Sequence, residues 1–216
     1  MIIVAESQIA IEIYSRPSLT QQIKLNSEYT KRVYQRYFKS VVSALYMIDT
    51  ILYIIGEKAH IELVQAAVSK LIESCSEDLA NEIQRLERLR EDNGIDIFPK
   101  YSNPGHYDID IVSPQVSQFV ALMMQMDNVI QLIDSLWLSN LLPNEKRADA
   151  EYQWQRRIQK LARRIISIRK NAYSEAQKRG ISNEVEIAEQ VLKEKGVEIT
   201  TETEEVDEAE AETEDA

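Results

Sequence analysis

The sequence predicts a mainly α-helical domain of the α+β class, with four long helices, a small antiparallel sheet or hairpin, and a disordered acidic C-terminal tail. Three observations predict it. Apolar residues recur at alternating steps of three and four through four long segments. Short stretches between them alternate apolar and polar residues at period two. Only five Gly and five Pro punctuate 216 residues, so the elements they separate are long. Residues 1–196 form a single helical domain on this reading, and residues 197–216 the tail.

The elements follow in order. In SQIAIEIY (7–14), Ile9, Ile11 and Ile13 share one side of a half-buried strand, which SRP breaks. QQIKLN (21–26) is a second short strand or an extended lead-in, and Asn26 or Ser27 can cap the element after it. Tyr34, Phe38, Val41, Leu45, Ile48, Leu52 and Ile55 then make one helical stripe over 28–55, with Gly56 as its stop. A second helix covers roughly 58–92, with Ile61, Val64, Val68, Leu71, Cys75, Leu79, Ile83 and Leu86 on its apolar face and DNG at its end. IDIFPKY (95–101) and YDIDIV (107–112) flank the turn signal Ser102–Asn103–Pro104–Gly105 and read as a hairpin, with Pro99 confining the first strand to an edge. Ser113–Pro114 opens a third helix reaching about Leu141, carrying Phe119, Leu122, Met126, Val129, Ile133 and Leu136. Pro143 separates it from a fourth helix over about 144–178, which Gly180 stops, and Asn183 caps a short helix over 184–195.

Charge is unevenly distributed. The formal net charge is −11, yet residues 197–216 alone hold ten acids and no base. The body is therefore close to neutral, and the acidic tail is a self-repelling run without aromatic residues. The single cysteine, Cys75, excludes an internal disulfide and fits a reducing, cytoplasmic compartment. The N-terminus, with Glu6 and Glu12 and no basic n-region, does not read as a signal peptide. ALYMIDTILYII carries Asp49 and is shorter than the ~18 apolar residues of a membrane span, so no membrane association is expected.

Chemistry-bearing constellations are lacking. His60 and His106 have no Cys or carboxylate at metal-ligand spacing, so no metal or other cofactor is expected. There is no phosphate-binding glycine loop and no nucleophile elbow, and no catalytic residue is assigned. Asp127 and Asp134, seven apart on one helix, read as an ordinary surface pair; Met123, Met124 and Met126 read as core, as does Cys75, while Trp137 and Trp154 read as core or interface anchors.

One stretch stands out. YQWQRRIQKLARRIISIRKNAY (152–173) holds seven cations and no acid. At about 100° per residue, Arg156, Arg157, Lys160, Arg163, Arg164 and Lys170 gather on one side of a helix. Trp154, Ile158, Leu161, Ile165, Ile168 and Ala172 gather on the other, with Arg169 at the apolar margin. A solubility face usually mixes signs, as residues 82–91 do here. A strip of one sign points to phosphate, where each contact releases condensed counterions. An anionic membrane surface ranks lower, because the apolar side carries one aromatic and has a globular body to cover it. The acidic tail is a third, internal candidate. A second basic group, Arg16, Lys24, Lys31, Arg32, Arg36 and Lys39, joins the N-terminal strand to the first helix, with Arg16, Lys31, Arg32 and Arg36 as weaker contact candidates. An outward-facing set Gln8, Ala10, Glu12 and Tyr14 would suit a DNA-reading ribbon only poorly, since it carries no positive charge.

The strand ending IEIYSRP, the long helix pair, the segment FPKYSNPGHYDIDIVSP, and MDNVIQLIDSLWLSNLL with its Arg-rich continuation occur in the order of a known family. Over roughly residues 8–175 the chain resembles the AcaB-like proteins carried by conjugative plasmids and integrating conjugative elements. The resemblance implies a transcriptional regulator that activates transfer genes, related to ribbon-helix-helix DNA readers. It would make strand 8–14 the ribbon and the helix from 28 its successor, although no short second helix follows here. The expectation is a non-enzymatic, cytoplasmic DNA-binding regulator acting as a homodimer through phosphate contacts. A further regulatory or transfer protein is a candidate partner. The alternative is a helical interaction or assembly factor whose basic face meets an acidic protein.

Overall fold

The structure is a computed structural model. It describes residues 17–55 and 58–180, of which 50–55 and 58–61 are described by their backbone alone. The expected strand 7–14, the helix 184–195, the tail and Arg16 lie outside the described residues.

Six elements follow one another: β1 (Leu19–Leu25), α1 (Glu28–Ile55), α2 (Lys58–Asp92), β2 (Gly105–Ile111), α3 (Pro114–Leu138) and α4 (Asn144–Lys178). The four expected helices are present, joined by a two-stranded antiparallel sheet. Their ends follow local chemistry. Ser27 caps α1 by accepting the Thr30 amide at 3.1 Å, and Ser113 caps α3 by accepting that of Val116 at 3.4 Å. At the end of α2, Gly94 takes φ +66°, and the Ile95 amide reaches the Arg90 carbonyl at 3.0 Å. At the end of α3, Asn140 takes φ 59° and Leu141 N–H reaches the Leu136 carbonyl at 3.0 Å. Both are Schellman closures, which need a residue tolerant of the left-handed region. The second stops α3 at Leu138, before the expected Leu141.

α3 is the central helix: Phe119, Leu122, Met126, Val129, Ile133 and Leu136 are all buried, as are Val120, Met123, Ile130 and Leu132 between them. A helix apolar on nearly all sides must be surrounded. The stripe of α1 covers it through Phe38, Val41, Leu45 and Ile48, and that of α2 through Val68, Leu79 and Leu86. The bonds Gln115–Ser69, Gln125–Ser76 and Ser135–Arg90 advance together along both chains, so α2 and α3 run parallel. The pairs Ser27–Asp127 and Phe38–Phe119 advance oppositely, so α1 is antiparallel to α3. Met124, expected in the core with Met123 and Met126, is instead 44% exposed.

The strand pairing differs from the expected hairpin. β2 pairs with β1 from Leu19↔Ile111 to Leu25↔Gly105, and residues 95–101 form no strand. Ile23, Leu25 and Ile109 point into the core, while Thr20–Asp110 (2.7 Å) and Gln22–Asp108 (3.0 Å) bond across the outer face. Residues 95–101 are held by side chains of α3 instead: Ser135 Oγ donates to the Ile97 carbonyl at 3.1 Å, and the Tyr101 hydroxyl donates to Asp134 at 2.6 Å. Pro99 has no N–H to give a ladder, whereas β1 offers a full set of donors and two inward apolar side chains.

Candidate nucleic-acid interface

α4 is amphipathic along its length, and its two sides divide as the helical spacing requires. Trp154, Ile158, Leu161, Ala162 and Ile165 are buried against the body. Arg156, Arg157, Lys160, Arg164 and Lys170 are exposed on the opposite side, and Arg163 is half-buried. At ~1.5 Å rise per residue, Arg156 to Lys170 is a ridge about 21 Å long.

The cations differ in what already holds them. Arg157 Nη1 lies 3.4 Å from Asp78 Oδ2 on α2, with both side chains more than half exposed, and its guanidinium sits 4.8 Å from the Trp154 ring centroid. A pair that open to solvent is worth only ~0–1 kcal/mol and exchanges readily for another anion. Arg156 lies 5.7 Å from the Tyr152 ring centroid. Arg163 is already engaged. Among the described residues, Arg156, Lys160, Arg164 and Lys170 make no ion pair. Asp78 also acts on Cys75, one turn earlier on α2: burial pushes that thiol up to about 11, the Asp78 carboxylate adds to the rise, and Arg157 opposes it.

Of the N-terminal basic group, Lys24, Arg32, Arg36 and Lys39 are exposed, and one member is not. Lys31 is buried, not presented to solvent as expected: its ammonium lies 2.8 Å from Glu28 and donates to the Asn103 carbonyl at 3.0 Å. Tying the 102–105 turn to α1 uses the charge locally and holds the Glu28 carboxyl below its ordinary range. Arg32 is exposed with Glu28 at 3.8 Å, and Arg36 is exposed beside the Tyr37 ring.

Sequence reasoning missed a buried ionic cluster beneath the start of α4. Asp127 and Asp134, expected as a surface pair, are both buried. Asp127 accepts the amides of Asn26 (2.9 Å) and Ser27 (2.8 Å), locking the β1–α1 junction to α3. Asp134 takes Arg147 at 2.7 Å and the Tyr101 hydroxyl, and Arg147 also reaches Glu151 at 3.0 Å while stacking 4.0 Å from the Trp137 ring centroid. Trp137 Nε1 donates to the Asn144 side chain, closing the α3–α4 corner. Burial pushes Glu151 up to about 7; Arg147 pulls against the rise and Asp134 reinforces it. Tyr29, against Glu151, is also raised, chiefly by burial. The available signal was position: both aspartates fall among the apolar residues of α3, where a carboxylate survives only with partners. These groups hold the corner from which the ridge extends, and each carboxylate is satisfied within the fold.

Among the described residues no group of three or more His, Cys, Asp or Glu side chains is placed to hold a metal ion, and no helix is long and apolar enough to cross a membrane. His106 is exposed on β2 opposite Lys24.

No protein-family model matches the sequence, and no curated protein sequence does. Among solved structures, the crystal structure of selenomethionine-containing AcaB from uropathogenic E. coli is similar at a TM-score of 0.78 and 45% sequence identity, over 79% of this chain and 89% of that one. Identity of that order over most of both chains shows a common family. The chain belongs to the AcaB-like family.

Proposed function

We propose that this protein is a DNA-binding transcriptional regulator, an activator of conjugative-transfer genes on a mobile genetic element, acting without enzymatic chemistry as a cytoplasmic homodimer. The observation that carries the reading is the α4 ridge: Arg156, Lys160, Arg164 and Lys170 exposed in a row, with no carboxylate paired to them among the described residues. A row of guanidinium and ammonium groups suits successive phosphates and reads no sequence by itself, so it would supply affinity and register. Arg157 joins the row by exchanging Asp78 for phosphate, and Arg163 flanks it. Arg32 and Arg36 on α1 are secondary contacts. Lys31 is left out, because its ammonium is already engaged. Membership of the AcaB-like family supports the regulatory role.

A mobility-shift titration on plasmid DNA at rising salt tests this. Four to five phosphate contacts give a log–log salt slope of about −4, or roughly a 250-fold loss of affinity between ~50 and ~200 mM salt. A variant with Arg156, Arg157, Lys160, Arg163 and Arg164 changed to Ala should bind weakly and with a shallow slope, with its helical circular dichroism retained. Equal affinity and slope for the two proteins would remove the ridge from DNA binding.

A second reading, a helical interaction factor, is favoured by one feature. Ile97 (81% exposed), Phe98 and Leu138 (63%) lie exposed near the C-terminal end of α3. On that reading the wild type would fail to shift DNA at any salt.

A further inference from the structure

The ridge ends close to the most acidic segment of the same chain. Lys170 is ten residues before Gly180, just past the end of α4, and the ten acids of 197–216 begin at Glu198. Along the helix, Lys170 lies ~15 Å and Arg164 ~24 Å from Gly180. The eighteen residues from Gly180 to Glu198 reach ~60 Å if fully extended, and about 38 Å if 184–195 take the helix their sequence predicts. Either span exceeds the distance to Arg164, so the acids can reach the ridge. Their charge complements it: ten carboxylates against four exposed cations with no ion pair among the described residues, and a fifth, Arg157, on an exchangeable one. Arg157–Asp78 already shows how a carboxylate seats on this side of α4, at 3.4 Å and in the open. A tethered partner acts at an effective concentration on the order of millimolar, so individually weak pairs suffice.

We infer that the acidic residues of 197–216 dock on the exposed cations of α4 in the same chain and compete there with any other polyanion. The docking concerns the ridge of the proposed function but does not require that nucleic acid be its other ligand. Bound this way, the tail sets a threshold: a polyanion with a few isolated charges cannot displace ten, whereas a continuous phosphate backbone can.

Zero-length carbodiimide coupling of the full chain, read by mass spectrometry, tests the docking directly. Lys160 and Lys170 should form amide links to tail carboxylates at low salt, independently of protein concentration. The links should disappear at ~1 M salt, where the screening length falls to about 3 Å. A full-length variant with the ten tail acids changed to Gln or Asn should bind a random-sequence DNA duplex about tenfold more tightly at low salt. Links that form without any DNA binding would leave the docking standing and refute the DNA reading. Links that fail to form, with DNA affinity equal for the two proteins, would overturn the docking and leave the DNA reading intact. Links that vanish on dilution would place the tail on a neighbouring copy and overturn the intramolecular contact.

Discussion

The amide of Ser27 donates to the Asp127 carboxylate at 2.8 Å across one hundred residues of sequence, and the amide of Asn26 donates to the same group at 2.9 Å. The residue that caps α1 is thus itself held by α3. Asp127→Ala leaves two backbone donors without their acceptor beside a 3% exposed position, and the expected cost is about 3 kcal/mol in urea unfolding. Asp127→Asn, which keeps one acceptor oxygen, should lose less. Equal losses for the two variants would show that a single neutral acceptor oxygen does not replace the charged carboxylate at this site.

Arg147 is the shared cation of two buried carboxylates, Asp134 at 2.7 Å and Glu151 at 3.0 Å. Arg147→Met strands both, and destabilisation of about 3 kcal/mol near neutral pH is expected. Part of it should be recovered on acidification as Glu151, raised by burial, takes up its proton. A loss that does not change with pH would mean that the stacking of Arg147 on Trp137 is what matters.

Glu151 gives wild-type stability a pH dependence of definite sign. Its folded-state pKa of about 7 lies above the unfolded value of 4.5, so the native state holds a proton that the unfolded chain releases between them. Stability from this group is therefore greatest below the unfolded value and falls as pH rises through that window, by at most ~1.4 kcal/mol per pH unit. Glu151→Gln should flatten the decline and unfold later than the wild type at pH 8, as urea midpoints measured across the range would show. Parallel curves for the two proteins would place the titration elsewhere.

Cys75 serves as a reporter of the ridge. With its thiol pushed up to about 11 from 9.0, it holds roughly a hundredth of the ordinary thiolate fraction, and alkylation at pH 8 should be slower in proportion. Asp78→Asn removes a negative charge that raises the thiol and leaves Arg157 to lower it, so alkylation should quicken several-fold. The same variant frees Arg157 and should tighten DNA binding a few-fold. Unfolding stability should stay within ~1 kcal/mol, the worth of an exposed pair. Unchanged alkylation would indicate that burial alone protects the thiol.

Local chemistry made much of this legible in the residue order. The period of the apolar stripes located all four helices, the Ser–Pro step placed the start of α3, and the one-signed wheel of α4 anticipated the exposure of the ridge cations except Arg163, which is half-buried. Non-local pairing was not legible. YDIDIV reads as a strand, but nothing in it says whether its neighbour is the adjacent 95–101 segment or β1. The choice is made by a missing proline donor and by two apolar side chains of a distant segment. Charges were misjudged where burial reverses their meaning: Lys31 counts as a surface cation until Asn103 and Glu28 are seen to enclose it, and Asp127 and Asp134 count as solvated until the helix carrying them proves central. For the aspartates the apolar neighbours on both sides were a usable signal, whereas for Lys31 only the packing reveals the burial.

The bond between Thr20 and Asp110 joins positions 90 residues apart, and this governs the order of events during synthesis. β1 leaves the ribosome early, and both following helices must be made before its partner strand emerges. At ~5–20 residues per second the wait is roughly 5–20 s, during which β1 presents an unpaired edge to neighbouring nascent chains. Codon changes that slow translation between residues 26 and 111 would lengthen that exposure, and the insoluble fraction of the product should rise with it.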